Sequence, residues 1–396
     1  MTRLYQRGWH RYGPTIELPI LWGCLMKLAG LRVIDLSNFL PGPYLTLALA
    51  DHGADVIKIE MPGEGDPARH IGLRDGEHTV MFRNINRGKK SIALDLKNPA
   101  DRDALLALCD TADVFIETFR PGVVDRLGLD YATIAARNPR IVYCSISAFG
   151  QTGRWRDRPA HDLATEAMAG ASSITTGEDG KPAIPGVAIA DIVGGLHGLA
   201  GVLMALYRRT VSGQGDYVDI SMLDSVVSAC VNVVGPTFAE GRQPVNQHER
   251  TTGGSAFYRF YECGDGRRLT LAGQEPKFVR ALLGYLKRDD LVPLVLKGPG
   301  PHQQPVMAFL SEAFRERTLA DWEPILDSLD ICWGPVRTLP EAFADPNLVE
   351  RGMLLHDPAG RPHIGSPIHF RNEPARIGFD VPVLSQHKDA LLGRER

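Results

Sequence analysis

The sequence predicts an α/β protein: a large domain with a Rossmann-like open parallel sheet, and a smaller α+β domain. Apolar runs typical of strands alternate with helical patterns across residues 31–147, which is the order of a parallel sheet covered by helices. At 396 residues the chain is longer than one hydrophobic core usually serves. Its 44% hydrophobic content supplies a full core, and 23% charged residues are ordinary for a globular protein.

The first element is an apolar strand at 31–37 (LRVIDLS), followed by a Pro/Gly turn and a helical pattern that leads to a second strand at 55–60 (DVIKIE). This strand–turn–helix–strand order is a βαβ unit and implies parallel pairing. The alternation then repeats. It predicts strands at 91–97, 113–119 and 140–147 and helices at 100–112 and 123–138.

Beyond this sheet the pattern changes. Residues 191–209 predict a long helix whose glycines permit close packing, and a hairpin is expected at Gly264–Asp265–Gly266. The domain prediction has four parts. They are an N-terminal extension at 1–25, a large Rossmann-like domain at 26–225, a small α+β domain at 226–330 and a C-terminal segment at 331–396.

Composition excludes several classes of partner and site. A net charge of −3 leaves no basic excess, so neither nucleic acid nor a membrane surface is expected as a partner. Six scattered cysteines without a C-x-x-C pair predict no metal site and no disulfide framework, and they favour the cytoplasm. Glu17 and Pro19 interrupt the apolar piece in the first 25 residues, so export is not expected.

The turn after the first strand carries no dinucleotide motif. It reads NFLPGP where G-x-G-x-x-G would open the helix, and the chain has no Walker A motif. A nucleotide-bearing ligand must then be held differently. Arg87, Lys89 and Lys90 crowd one loop before a strand and could donate to phosphate groups, although a solvated basic loop explains them equally.

Four residues stand where strands or turns lead into helices, where α/β proteins often expose reactive groups. His161 and Asp162 precede a helical run, Asp191 follows an apolar segment, and Glu275 lies in LAGQEPKF. Each also has a purely structural explanation. Aspartate is a preferred N-cap, so Asp162 could simply cap the helix that begins LATEAMAG.

Several blocks of the chain resemble the class III CoA-transferase superfamily (CaiB/BaiF type), which includes CoA-transferases and α-methylacyl-CoA racemases. The blocks lie at 31–69, 86–97, 114–131 and 145–162. The resemblance implies an interlocked homodimer in which the C-terminal segment returns to the large domain. It also implies that the active site meets the partner's small domain and that CoA, as part of the substrate, binds the large domain. The implied CoA-binding residues are Phe39, Leu40, Pro41, Arg87, Lys89, Lys90, Thr118, Phe119 and Arg126.

Within the superfamily the site motifs are closest to the racemases. There a histidine precedes the aspartate, pairs with an acid at the position of Asp191, and is oriented by a glutamate at the position of Glu275. In the transferases the aspartate matching Asp162 is the nucleophile, which forms an aspartyl-CoA thioester. Three departures are visible. Ala164–Thr165 replaces the racemase Asn-Tyr, Glu166 stands where transferases carry glutamine, and Met61 replaces an arginine.

The main prediction is therefore an α-methylacyl-CoA racemase or epimerase. Such an enzyme needs two acid/base groups flanking the carbon next to the thioester, and His161 and Asp191, with Glu275 orienting the imidazole, meet that need. The alternative is a CoA-transferase that uses Asp162 as its nucleophile. A third possibility is a non-catalytic acyl-CoA binder. None of these requires a permanently bound cofactor.

Overall fold

The computed structural model describes residues 26–177 and 179–393, and the predicted N-terminal extension at 1–25 lies outside this part. The strands are β1 (Arg32–Asp35), β2 (Asp55–Glu60), β3 (Arg74–Asp75), β4 (His78–Thr79), β5 (Lys90–Ala93), β6 (Val114–Glu117), β7 (Val142–Ser147), β8 (Asp216–Ser221), β9 (Arg259–Glu262), β10 (Arg268–Leu271), β11 (Trp333–Pro335), β12 (Leu354–His356) and β13 (Pro362–Ile364). The α-helices are α1 (Pro41–Asp51), α2 (Val80–Asn86), α3 (Pro99–Cys109), α4 (Val123–Leu127), α5 (Tyr131–Arg137), α6 (Asp162–Met168), α7 (Ile189–Ser212), α8 (Met222–Ala229), α9 (Gly235–Glu240), α10 (Pro276–Tyr285), α11 (Val292–Leu296), α12 (Gln304–Arg315), α13 (Leu319–Ser328), α14 (Leu339–Phe343), α15 (Pro346–Glu350) and α16 (Lys388–Leu392).

A six-stranded parallel sheet in the order β5-β2-β1-β6-β7-β8 forms the centre of the large domain. From β1 the chain adds β2 and then β5 on one side. It then crosses back, and β6 pairs with the other side of β1. Helices cover both faces of this sheet, so its inner strands are buried on both sides. In β6, for example, all residues of VFIE are buried. The predicted fold class is confirmed.

Each face of this sheet has its own hydrophobic core. On one face α1, α7 and α8 contribute Leu45, Val202 and Val226, and on the other α3 and α5 contribute Leu105 and Ile134. Full burial of a side chain of this size contributes about 1.5–3 kcal/mol. These two cores fix the positions of the strand ends, where the candidate site lies.

Two predicted helices differ from the observed ones. The helix predicted at 123–138 is two helices, α4 and α5, because Gly128 adopts a left-handed φ of 68° that ends α4. The long helix predicted at 191–209 is α7, which is longer at both ends. A Cβ at Gly195 would lie 2.6 Å from the Pro41 carbonyl oxygen, so α7 needs glycine where it crosses α1. By length and composition α7 could cross a membrane, yet its buried side packs on β7 and β8.

A second sheet, β11-β10-β9, is antiparallel, and its β9–β10 hairpin turns at the predicted Gly264–Gly266. Helices α10 to α13 pack on it around a separate core that includes Leu269, Leu282, Leu310 and Trp322. The final segment lies against the edge of the large sheet. There the His387 N–H donates to the Ser91 carbonyl at 2.9 Å, and the Gly88 N–H donates to the Asp380 carbonyl at 2.7 Å.

Candidate active site

The candidate site lies at the carboxyl ends of β1 and β6, where the chain leaves two neighbouring strands in opposite directions. Such a point is where open α/β sheets bind ligands. The segment after β1 holds Phe39, Leu40 and Pro41, and the segment after β6 holds Thr118 and Phe119. Five of the predicted CoA-binding residues therefore share one edge of the sheet.

Hydrogen bonds fix the backbone of the loop after β1. The Asn38 N–H donates to Thr118 Oγ1 at 3.1 Å, and the Phe39 N–H donates to Asp66 Oδ1 at 3.2 Å. Asp66 is fully buried, and its other oxygen pairs with Lys58 Nζ at 2.8 Å. Phe39 adopts a left-handed φ of 62°, which costs a non-glycine residue roughly 1–2 kcal/mol. Strain of this kind is typical of functional loops.

His161 faces this loop. It is the N-cap residue of α6, with extended backbone angles, and its side chain makes no capping hydrogen bond. The exposed imidazole contacts the ring of Phe39 edge to face, with centroids 5.8 Å apart and planes at 76°. The ring is therefore free for chemistry while α6 fixes its backbone.

Asp162 caps a helix, but not the helix that the sequence suggested. It is the first residue of α6, and its Oδ1 accepts the backbone N–H of Asp191, in the first turn of α7, at 3.1 Å. The prediction that Asp162 is the N-cap of its own helix is wrong, because His161 occupies that position. Asp162 instead joins α6 to α7.

Glu166 completes a cluster of three carboxyl groups with Asp162 and Asp191. It is 1% exposed, accepts the Ile189 N–H at 3.3 Å and is hydrogen-bonded to Asp162. Burial, then the charges of Asp162 and Glu166, raise the pKa of Asp191 to about 7. Asp191 can therefore both accept and release a proton near neutral pH, as a general base or acid must.

Glu275 is not brought to this cluster within one chain. It is the exposed N-cap residue of α10, which follows β10 in the small sheet. In the described part of the chain it forms no hydrogen bond or ion pair with His161. Its predicted role as the group that orients His161 stays a prediction.

The structure corrects the role predicted for Arg87 and Lys89. The Arg87 guanidinium is fully buried and pairs with Asp51, with Nη2 to Oδ2 at 3.1 Å. Lys89, 3% exposed, lies 3.3 Å from Asp35 Oδ2 and donates to Thr46 Oγ1 at 2.7 Å. Cations enclosed in this way cannot reach the phosphates of a ligand; they neutralise buried acids.

Lys90 is only half-buried but lies at the amino end of β5, where its Nζ is 2.6 Å from Asp55 Oδ1. That is the edge of the sheet opposite the candidate site, so the structure does not join Lys90 to the loop after β1. Arg126 fits better. Its guanidinium and that of Arg156 lie 3.4 Å and 3.8 Å from the point that a Cβ on Gly122 would occupy. Arg126 is exposed and Arg156 is half-buried. Two acids offset part of their charge, since Asp125 Oδ2 lies 3.7 Å from the same point and Asp157 pairs with Arg156 at 2.9 Å. A phosphate would displace these acids to bind the two cations.

An apolar cavity of about 420 Å³ begins beside the site. Leu40 and Ile192, the neighbours of Phe39 and Asp191, form one end, and the cavity extends between α1, α7 and the C-terminal segment past Tyr44, Leu196 and Met353. Its volume lies within the range of small-ligand pockets, roughly 300–1,000 Å³.

The sequence did not reveal two members of the site. Glu166 was noted only as a departure from the transferases, yet it is the buried member of the carboxyl cluster. A signal existed: Asp162 and Glu166 are four residues apart, so they share one face of a helix. Arg156 had no such signal, because its approach to Arg126 depends on how two distant loops fold.

Comparisons with known proteins point to one family. Residues 28–388 match the model of the family described as CoA-transferase family III. Human succinyl-CoA:glutarate CoA-transferase is 30% identical over 383 residues, covering 93% of this chain and 86% of that protein. Human alpha-methylacyl-CoA racemase is 30% identical over 375 residues, covering 93% of each. The crystal structure of a CAIB/BAIF family protein from Brucella suis superposes with a TM-score of 0.80 at 32% identity, covering 93% of this chain and 99% of that one.

Proposed function

The chain belongs to CoA-transferase family III, and from that premise we propose that it is an acyl-CoA racemase or epimerase. In this proposal His161 removes the proton on the carbon next to the thioester from one enantiomer, and Asp191 removes it from the other. The protonated partner returns a proton to the opposite face, so the configuration inverts and no atom is gained or lost. The two epimers differ only in the configuration at this carbon and are close in energy, so neither direction needs a co-reactant.

The observation that carries this proposal is an Asp191 whose pKa is raised to about 7 and whose backbone is hydrogen-bonded to Asp162, the residue that follows His161. An ordinary aspartate is too weak a base to remove a proton next to a thioester at useful rates. Burial and the neighbouring acids strengthen Asp191 as a base. Histidine needs no such adjustment, since its unperturbed pKa lies near neutral pH.

The contacts of Asp162 support the same choice. A nucleophilic carboxylate needs a free oxygen that can reach the thioester carbonyl. One oxygen of Asp162 accepts the Asp191 N–H, and the carboxyl is also hydrogen-bonded to Glu166. This side chain serves as a structural link between α6 and α7 in the proposed reaction.

A CoA-transferase is the second candidate, and the comparisons support it at least as well. The succinyl-CoA:glutarate CoA-transferase is as similar to this chain as the racemase is. Asp162 is half-buried rather than enclosed, so an acyl-CoA could displace its hydrogen bonds. In that reaction Asp162 would form a mixed anhydride and then an aspartyl-CoA thioester.

For either reaction, we propose that coenzyme A enters as part of the substrate. Its phosphates would meet Arg126 and Arg156, and its pantetheine arm would pass the fixed backbone after β1. The acyl group would enter the apolar cavity beside Leu40 and Ile192. The cavity wall is mainly aliphatic, which suits a branched hydrocarbon chain.

We further propose that the chain acts as a homodimer, with Glu275 of a second copy reaching His161. Supporting this, α7 and α9 expose large apolar side chains: Met204 is 70%, Tyr207 79% and Phe238 83% exposed. Apolar patches of this kind mark interfaces. A cytoplasmic location is also proposed, from the scattered cysteines of the sequence.

The test compares the wild type with His161→Ala and Asp162→Ala. Each protein is given a single enantiomer of a 2-methylacyl-CoA, and chiral chromatography follows the appearance of the other enantiomer. The proposal expects His161→Ala to lose inversion and Asp162→Ala to retain part of it. Trapping of an acyl-enzyme by hydroxylamine in the wild type but not in Asp162→Ala, without inversion, would establish the transferase instead.

A further inference from the structure

The first turns of α6 and α7 are joined by two hydrogen bonds that run from the backbone of α7 to side chains of α6. The Ile189 N–H donates to Glu166 Oε1 at 3.3 Å, and the Asp191 N–H donates to Asp162 Oδ1 at 3.1 Å. The N-cap residue of α7 is Ala188, whose methyl group cannot accept these bonds. Free N–H groups at a helix start favour carboxylates. Helix α6 therefore supplies the capping groups that α7 lacks.

Glu166 and Asp162 lie one turn apart on α6, so their carboxyl groups are on the same face of the helix and close enough to share a hydrogen bond. Two carboxyl groups can form such a bond only if one of them is protonated, since two negative charges at that separation repel. Glu166 is 1% exposed, so water does not stabilise a second charge. Burial first, and then the hydrogen bond and charge of Asp162, raise the pKa of Glu166.

The elements packed against α6 provide no cation for this pair. Asp191 faces it from α7, and His197, farther along α7, is exposed. Helix α8 contributes the exposed Asp224, and the 3-10 helix after α6 carries no charged side chain. In the described part of the chain, no lysine or arginine forms an ion pair with Glu166. His161, the N-cap of α6, is directed to Phe39.

We propose that Glu166 is a positioning residue: its buried carboxyl shares a proton with Asp162, ties the starts of α6 and α7 together, and sets the charge that Asp191 faces. The functional part of this inference rests on the proposed role of Asp191 as a base. When the shared proton leaves, a second negative charge forms beside Asp191, and Asp191 then keeps its own proton to higher pH. Glu166 thereby determines the pH at which Asp191 becomes active.

Glu166→Gln tests the inference with little change of shape. The amide can still accept the Ile189 N–H and can donate to Asp162, but it cannot ionise. The acidic limb of the pH profile for α-proton exchange should therefore move to lower pH by about one unit, with the plateau at high pH unchanged. Glu166→Leu loses both hydrogen bonds and should lower the melting temperature without producing that clean shift. Glu312→Gln, an exposed site on α12, is the matched control.

A second measurement does not depend on turnover. Infrared spectroscopy during a pH titration follows the carbonyl band of protonated carboxylic acids. Asp191 and Glu117, whose pKa values are raised to about 7, contribute to this band in every protein. The wild type should show a further component up to near-neutral pH that both Glu166→Gln and Asp162→Asn lack, and Asp162→Asn serves alone if Glu166→Gln does not fold. If the wild type exchanges no α-proton, the proposed reaction fails but the band still tests the shared proton. Identical infrared titrations for wild type and variant, or an unmoved pH profile, overturn the inference.

Discussion

The sharpest prediction concerns Asp191→Asn. The amide keeps the size of the side chain but cannot accept the α-proton. Loss of a general base typically costs 10²–10⁴-fold in rate, about 3–5 kcal/mol of transition-state stabilisation. In the two-base reaction this loss should fall on one enantiomer only, because His161 still removes the proton from the other.

The structure also gives the pH dependence of that half of the reaction. With a pKa of about 7, Asp191 is about half ionised at neutral pH, and its ionised fraction falls about fivefold in the first unit of acidification and roughly tenfold for each unit below that. Wild-type exchange from the Asp191-dependent enantiomer should therefore fall about fivefold between pH 7 and pH 6. An aspartate at its ordinary pKa, near 3.8, would stay ionised over this range and give a flat profile.

The assay incubates each enantiomer of a 2-methylacyl-CoA separately in deuterated water, and mass spectrometry measures the deuterium at the α-carbon. Asp224→Asn removes an exposed acid from α8 and serves as the control. Equal loss of exchange from both enantiomers, or a flat profile in the wild type, refutes the assignment of Asp191 as one of two bases.

Three further predictions follow from the structure. Arg87→Met leaves the buried Asp51 carboxylate without its partner and should lower the free energy of unfolding in urea by about 3–5 kcal/mol. Lys90→Met breaks a solvent-accessible ion pair and should lower it by less than about 1 kcal/mol; similar losses would contradict the structural role of Arg87. Ala48→Phe narrows the apolar cavity and should raise KM for long branched acyl-CoAs more than for acetyl-CoA, so an equal effect on both would exclude the cavity as the acyl site. Arg126→Ala should raise KM for acyl-CoA roughly tenfold with kcat unchanged, and an unchanged KM would remove it from the phosphate site.

Much of the large sheet could be predicted from the sequence because its signals are local. The strand at 55–60 matches β2 at both ends, because its β-branched residues Val56, Ile57 and Ile59 lie between two turn signals, Gly53 and Pro62–Gly63. The helix at 123–138 was predicted as one because its apolar pattern continues through Gly128, and only the left-handed backbone at that glycine separates α4 from α5.

The site was harder to predict because its chemistry depends on contacts between distant segments. Arg87 and Lys89 are typical of a phosphate-binding loop by residue type, but the fold encloses them beside Asp51 and Asp35. Residue type alone does not say whether a cation faces a ligand or a buried acid. The raised pKa of Asp191 depends in the same way on burial and on two acids of another helix.

The most direct test of the central claim is a single incubation. Wild-type protein is mixed with a branched acyl-CoA in deuterium oxide, with and without an acceptor carboxylic acid. Mass spectrometry then measures the mass of every CoA ester. The account predicts that deuterium enters the α-carbon at the same rate in both samples and that CoA stays on its original acyl group. An acyl group that gains no deuterium, together with CoA that moves to the added acid, would contradict it.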